Sequence, residues 1–284
     1  MLAVLLLELA YPFYGNHPTI PRENVYVETQ LTNRLQEFPK PSRFSFQTGG
    51  LLAGLMAYYE LEGLFGYDGL YPEKSFKRFR FPGHPELWAR MEPFCAVGWY
   101  LGPPNSPPED WFSAGGPDDL RYIETLDGFD IYENLRARPR AYLVPRYVAV
   151  DPVPLAILGA LLAPEYDPSE AVVTDAPPDV PSPQPTDGSL GTATVTKRVS
   201  DEVVVEVRAE QACVLVLADN YYPGWRVEID GNPAEIFPAY TVYRGVVLPE
   251  GEHEVRFVYA PLCFRLGMAI SVIALALGLV VGVM

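Results

Sequence analysis

The chain is poor in the residues that most often announce chemistry. Its 284 residues include three cysteines and three histidines. The cysteines, Cys95, Cys213 and Cys263, are odd in number, and two of them lie in apolar strand or helix contexts. Buried single thiols are therefore expected, with a Cys95–Cys213 disulfide left open. His17, His84 and His253 are far apart and show no ligand spacing, which argues against a zinc site, and no metal or cofactor is expected. There is no Gly-x-Ser-x-Gly elbow, P-loop or dinucleotide fingerprint. Positive charge is also scarce: 21 Lys and Arg stand against 36 Asp and Glu, a formal charge of −15. That balance argues against nucleic acid as a partner, because phosphate must be met by basic patches. The carboxylates are plentiful, but no spacing singles out an acid/base pair, and clusters such as Glu109-Asp110 and Asp118-Asp119 read as solvated loops.

What is present lies unevenly. From Leu266 to Met284 there is no charged residue. At a rise of ~1.5 Å per residue this stretch reaches about 28 Å, close to the hydrocarbon thickness of a bilayer. A transmembrane helix is expected over 264–284, with the lipid bilayer as its partner. Ala274, Gly278 and Gly282 recur at four-residue intervals, a spacing that lets another helix approach. Residues 1–10 are apolar but too few to span. They lack a basic n-region and a clear cleavage site, so they read as the remnant of another membrane helix or as a short, atypical signal sequence.

Between these ends the chain can bury a core, since 49% of its residues are hydrophobic and 13% aromatic. Residues 11–42 read as an extended arm, because Pro12, Pro18, Pro21, Pro39 and Pro41 interrupt helices. Residues 43–174 alternate strand and helix signals and are expected to form a mixed α/β domain. Strands are indicated at 43–46, 96–101, 118–130, 131–144 and 171–174, helices at 51–64, 85–91 and 152–162, and a turn at Leu126-Asp127-Gly128. Residues 175–188 hold five prolines and read as a stiff linker. Residues 189–261 then carry the clearest pattern. Val203-Val204-Val205 and Val214-Leu215-Val216-Leu217 are strand runs, and Trp225, Val227 and Ile229 alternate with charged residues. Asp230-Gly231 is a hairpin signal, and Pro249-Glu250-Gly251 a second turn. About seven short strands in this length suggest a β-sandwich. The fold class is thus α+β: a mixed α/β domain, a β-sandwich domain and one C-terminal transmembrane helix.

One cluster invites a functional reading. Asp219, Asn220, Tyr221, Tyr222 and Trp225 combine hydroxyl-bonding groups with rings that stack on sugars, so they form a candidate glycan contact. The competing reading is a turn whose Tyr and Trp fill the sandwich core, favoured because Trp225 continues the dry face of its strand.

The stretch from Leu217 to Gly231, with Tyr243-Arg244-Gly245-Val246, the run from Leu248 to Tyr259, Pro261 and the apolar segment from Gly267, resembles the C-terminal signature of the bacterial YfhO-like membrane proteins. Glu8-Leu9, residues 16–21, Gly66 to Pro72, Tyr132-Glu133-Asn134 and Pro139-Arg140-Ala141 resemble earlier elements of that family in the same order. Two departures stand out: Glu8 where an aspartate is expected, and Pro93 to Tyr100 in place of the usual Asn-Val-Arg-Tyr entry. The resemblance implies the extracytoplasmic C-terminal part of a polytopic membrane protein related to GT-C glycosyltransferases. Such enzymes move sugars from polyprenyl-phosphate donors at the outer face of a membrane. Their catalytic acids lie in the membrane part, so no catalytic residue is assigned here and enzymatic activity of this segment stays open. The implied partners are the remaining membrane helices of the parent and a cell-envelope glycan. The rival reading is a membrane-anchored glycan-binding or protein-interaction module without enzymatic activity.

Overall fold

The structure, a computed structural model, describes residues 27–39, 43–46, 56, 58–64, 84–105 and 117–283. The expectations for 1–10, for most of the arm and of the helix at 51–64, and for the segment around Gly66–Pro72 lie outside these residues.

Helix α1, Gln30–Gln36, corrects the expectation of an extended arm over 11–42. The prolines leave a gap wide enough for two turns, and Thr29 starts the helix. Its hydroxyl accepts from the Thr32 amide (3.1 Å) while the Thr32 hydroxyl accepts from the Thr29 amide (2.9 Å). The Leu31 amide, otherwise an orphan of the first turn, donates to Asp127 (2.8 Å).

The first sheet has the order β1 (Arg43–Phe46), β2 (Val97–Gly102), β4 (Phe129–Asn134), β3 (Leu120–Leu126). Helix α2, Pro85–Met91, and a 3₁₀ turn, Glu92–Cys95, precede β2. The expected turn between β3 and β4 is present: Asp127 and Gly128 both have positive φ, as a two-residue hairpin requires. Leu31, Leu35 and Phe38 of the α1 region pack on this sheet against Phe44, Trp99, Leu101 and Ile131, with the Phe38 and Trp99 rings stacked at 4.0 Å.

The strand expected over 131–144 divides in two. β5, Ala141–Val144, leaves the first sheet and joins another, of order β13 (Phe237–Ala239), β14 (Tyr243–Leu248), β10 (Cys213–Asn220), β5. The break falls at 135–140, where Pro139 cannot donate to a ladder. β6 (Arg146–Ala149) and β7 (Ala171–Thr174) pair in parallel, with α3 (Pro154–Leu162) as their crossover.

Beyond the proline-rich segment, β8 (Gly191–Val199), β9 (Glu202–Ala209), β11 (Trp225–Ile229), β12 (Asn232–Ala234) and β15 (Gly251–Tyr259) form a five-stranded sheet of order β12-β11-β15-β9-β8. The Asp230-Gly231 hairpin forms with both residues at positive φ.

The sheet containing β10 is central. Cys213, Leu215 and Leu217 meet Val205, Val207, Val255 and Phe257 of the five-stranded sheet. Val214, Val216 and Ala218, on the opposite face, meet Leu87, Met91, Phe94, Tyr100 and Ile157. Burial on both faces explains why β10 is apolar from Cys213 to Ala218 rather than alternating. It also means that chain segments on both sides of 175–188 share one sheet and one core. The proline-rich segment itself is tied to the body: Tyr147 donates its hydroxyl to the Val180 carbonyl (2.7 Å), Ser182 bonds the Tyr147 backbone, and the Thr186 amide donates to Gln211 (2.9 Å).

Helix α4, Leu262–Val283, begins two residues after β15 ends. Its side chains are described as far as Gly278, and every one from Leu262 to there is exposed. Among the described residues no helix is long and apolar enough to cross a membrane.

Candidate functional site

The candidate site is built on the end of β10. Pairing of β10 with β14 runs regularly from Cys213 to Leu217 and then shifts register before Asn220. This irregularity spans Ala218 and Asp219, and such a bulge re-aims the side chains it contains. Asp219 is turned into a buried cluster of arginines drawn from distant parts of the chain. Arg140, just ahead of β5, donates Nη2 to Asp219 Oδ1. Arg43 of β1 donates Nη2 to the same oxygen (3.2 Å) and Nη1 to the Cys95 carbonyl (2.8 Å). Arg244 of β14 brings Nη1 within 3.9 Å of Asp219 Oδ2. Glu62 completes the cluster, pairing with Arg140 (3.0 Å) and with Arg198 of β8.

Burial pushes the Asp219 carboxyl upward, but the charges of Arg140, Arg43 and Arg244 together outweigh it and hold the group well below the usual carboxylate range. Burial lowers Arg244 to about 10, against the pull of Asp219, so it is still charged at neutral pH. Arg43 is lowered for the same reason, with Arg140 adding repulsion. These carboxylates already face guanidinium groups, so they are poorly placed to ligate a cation. Among the described residues no group of three potential ligands could hold a metal ion. The arrangement does mechanical work instead: it fastens the first sheet, through Arg43, to the central sheet, through Asp219 and Arg244.

The aromatic turn follows at once. The Tyr221 amide donates to the Val242 carbonyl (2.6 Å), and Arg244 Nε donates to the Asn220 carbonyl (3.1 Å). Gly224, at φ +107°, lets the chain pass close to the base of α4: a Cβ there would stand 3.0 Å from Pro261 Cβ and 3.1 Å from the Tyr259 ring. The Ala260 amide donates to the Gly224 carbonyl (2.8 Å). Trp225 is half-buried, with its ring centre 5.3 Å from that of Tyr259 and 3.4 Å from the Arg244 guanidinium carbon. Tyr222 is 46% exposed, its ring 6.5 Å from Tyr259.

The structure therefore separates the five residues read as one glycan contact. Asp219 is buried in ion pairs, Asn220 and Tyr221 are half-buried with their backbones engaged, and Tyr222 and Trp225 lie beside the start of α4. Trp225 packs at the edge of the sandwich core, as the dry-face alternation suggested. Sequence reasoning missed Arg43, Arg140 and Arg244, which no local pattern links to Asp219. The one available signal was an aspartate closing an otherwise apolar strand.

Cys95 and Cys213 are buried free thiols, and Cys263 is an exposed free thiol. His253 of β15 bonds Asp230, in the turn between β11 and β12 (2.7 Å). Glu92, almost fully buried, accepts from the Tyr100 hydroxyl and from Asn134 Nδ2 (2.6 Å).

The sheet-forming half of the site also carries the likeness to known proteins. Residues 189–271, which include β8 to β15 and the start of α4, match the family model of the bacterial membrane protein YfhO. No curated protein and no solved structure matches the chain. The Asp219 bulge, the aromatic turn and the base of α4 all lie inside the matched segment, so this part of the chain is similar to the bacterial membrane protein YfhO.

Proposed function

We propose that this chain is a membrane-tethered, extracytoplasmic body that supports the glycosylation of cell-envelope polymers from polyprenyl-phosphate sugars, by binding the acceptor or bracing the membrane part rather than by catalysis. The observation that carries the tether is α4. Its described side chains, Leu262, Phe264, Leu266, Met268, Ile270, Val272, Ile273, Leu275 and Leu277 among them, are all exposed around the whole helix. An apolar surface of that extent is stable only when covered, and a helix apolar on every face suits hydrocarbon rather than one protein groove. The uncharged sequence continues to Met284, long enough for a bilayer. The glycosylation role rests on the family likeness of residues 189–271.

Three experiments test this reading. Full-length chain is expected to float with liposomes and to resist carbonate extraction, whereas a chain ending at Pro261 stays in the aqueous fraction. An impermeant maleimide is expected to label a Cys263→Ser, Glu250→Cys variant in intact cells, and cytoplasmic placement would leave it unlabelled. For the role itself, cells lacking the gene are expected to lose sugar from an envelope polymer and regain it on complementation. Unchanged polymer would favour the second reading, a surface glycan-binding module, for which the exposure of Tyr222 is the supporting observation.

A further inference from the structure

We infer that Tyr222, Trp225 and Tyr259, with Arg226 and Arg265 beside them, form a collar that seats the β-sheet body in the headgroup layer of a phospholipid bilayer. The inference rests on the tether proposed above and adds to it a protein surface that touches lipid. Three observations converge. First, the aromatic turn and the start of α4 are one structural unit. Trp225 and Tyr259 are Cα partners in the β11–β15 ladder, Gly224 is closed onto Pro261, and β15 ends two residues before the helix. Second, two cations flank this unit in the chain. Arg226 is the ladder partner of Val258 and is exposed, and Arg265 lies in the first turn of α4. Neither makes an ion pair among the described residues, although the chain carries fifteen net negative charges. Third, a largely apolar groove opens between the end of the sheet and the helix, lined by Tyr259, Pro261, Phe264 and Met268, with Asp201 as its one charged residue.

This is the chemistry of a membrane–water boundary. Tyr and Trp rings have an apolar body and a polar edge, and they concentrate where hydrocarbon meets headgroups. Arginine stems lie along apolar surface while the guanidinium reaches phosphate. The uncharged stretch begins at Leu266, directly after Arg265, which puts the boundary at this level. Sugar stacking fits the geometry less well, because the Trp225 ring is already covered by Arg244 at 3.4 Å and flanked by Tyr259.

The test uses full-length chain in phosphatidylcholine liposomes whose acyl chains carry bromine either near the headgroup or near the terminal methyl. Bromine quenches only tryptophans close to it. The emission of Trp225 is obtained as the difference between wild type and Trp225→Phe. The expected result is loss of most of that component to the shallow bromines and little loss to the deep ones. A Trp225→Phe, Tyr222→Trp double variant places a reporter at an exposed position and is expected to behave alike, so the result does not depend on how well the emptied site packs. Chain that floats with liposomes but shows no quenching of either reporter overturns the collar and leaves the tether standing. Chain that does not float overturns both. Quenching or shifting of these reporters by added envelope polysaccharide, with no response to lipid bromine, overturns the collar in favour of sugar contact.

Discussion

The Arg244 guanidinium carbon stands 3.4 Å from the centre of the Trp225 ring, and the same side chain donates Nε to the Asn220 carbonyl and brings Nη1 to within 3.9 Å of Asp219. One residue thus joins the buried ion cluster to the aromatic turn at the base of α4. Any strain placed on the turn is carried into the sheet core through a charged group that is itself desolvated.

Replacing Arg244 tests this coupling. Arg244→Lys keeps the charge but loses the planar stack and the forked donors. A desolvated cation–π contact contributes about 2 kcal/mol, and a lost hydrogen bond from a charged group a similar amount. The variant is expected to unfold at lower denaturant by about 2–4 kcal/mol, read from the urea midpoint of detergent-solubilised chain. Stability equal to wild type would show that the stack contributes nothing.

Asp219→Asn leaves Arg43, Arg140 and Arg244 facing a neutral group. Breaking a buried ion pair from one side costs about 3–5 kcal/mol. The pH dependence has a defined sign. The folded pKa of Asp219 is depressed, so its contribution is complete above the unfolded value of about 4 and is lost as pH falls from there toward the folded pKa. The stability gap between wild type and variant, measured by denaturant titration, is expected to be constant from about pH 5 to 8 and to narrow below about 4.

Glu92 titrates in the opposite sense. Burial raises its pKa against the lowering effect of the Tyr100 and Asn134 hydrogen bonds. A raised carboxyl pKa stabilises the folded state fully at low pH, and that stabilisation declines as pH rises through the folded value. Glu92→Gln retains an acceptor for both donors without the charge. It is expected to raise the melting temperature at pH 8 relative to wild type and to gain less at pH 4. A gain that is larger at pH 4 would reverse the assignment.

Gly224→Ala is expected to destabilise the chain by about 1–3 kcal/mol, since the residue has φ +107° and its new methyl meets Pro261 and Tyr259. Differential scanning calorimetry reads the loss. Because the clash pushes the turn away from α4, the same variant is expected to reduce shallow-bromine quenching of Trp225.

Much of the local structure was legible before folding. The Asp127-Gly128 and Asp230-Gly231 hairpins are set by residues that accept positive φ, and β11 shows its buried face by alternation, because these signals depend on neighbours within a few residues. The α1 helix escaped notice because seven residues carry too little periodicity and the prolines around it dominate the pattern. The split of 131–144 between two sheets was equally hidden, since strand propensity names no partner.

By itself, then, the sequence determined the uncharged C-terminal stretch, the acidic body, the hairpins and the family signature of residues 189–271, all of which are properties of contiguous residues. Only the tertiary structure decided that Asp219 is an ion-pair centre rather than a surface contact. Its partners Arg43 and Arg140 lie 176 and 79 positions away, and hydrogen bonds over such separations exist only once sheets have assembled. The same assembly brought Trp225 to Tyr259 and Pro261, placing the aromatic turn at the foot of the helix.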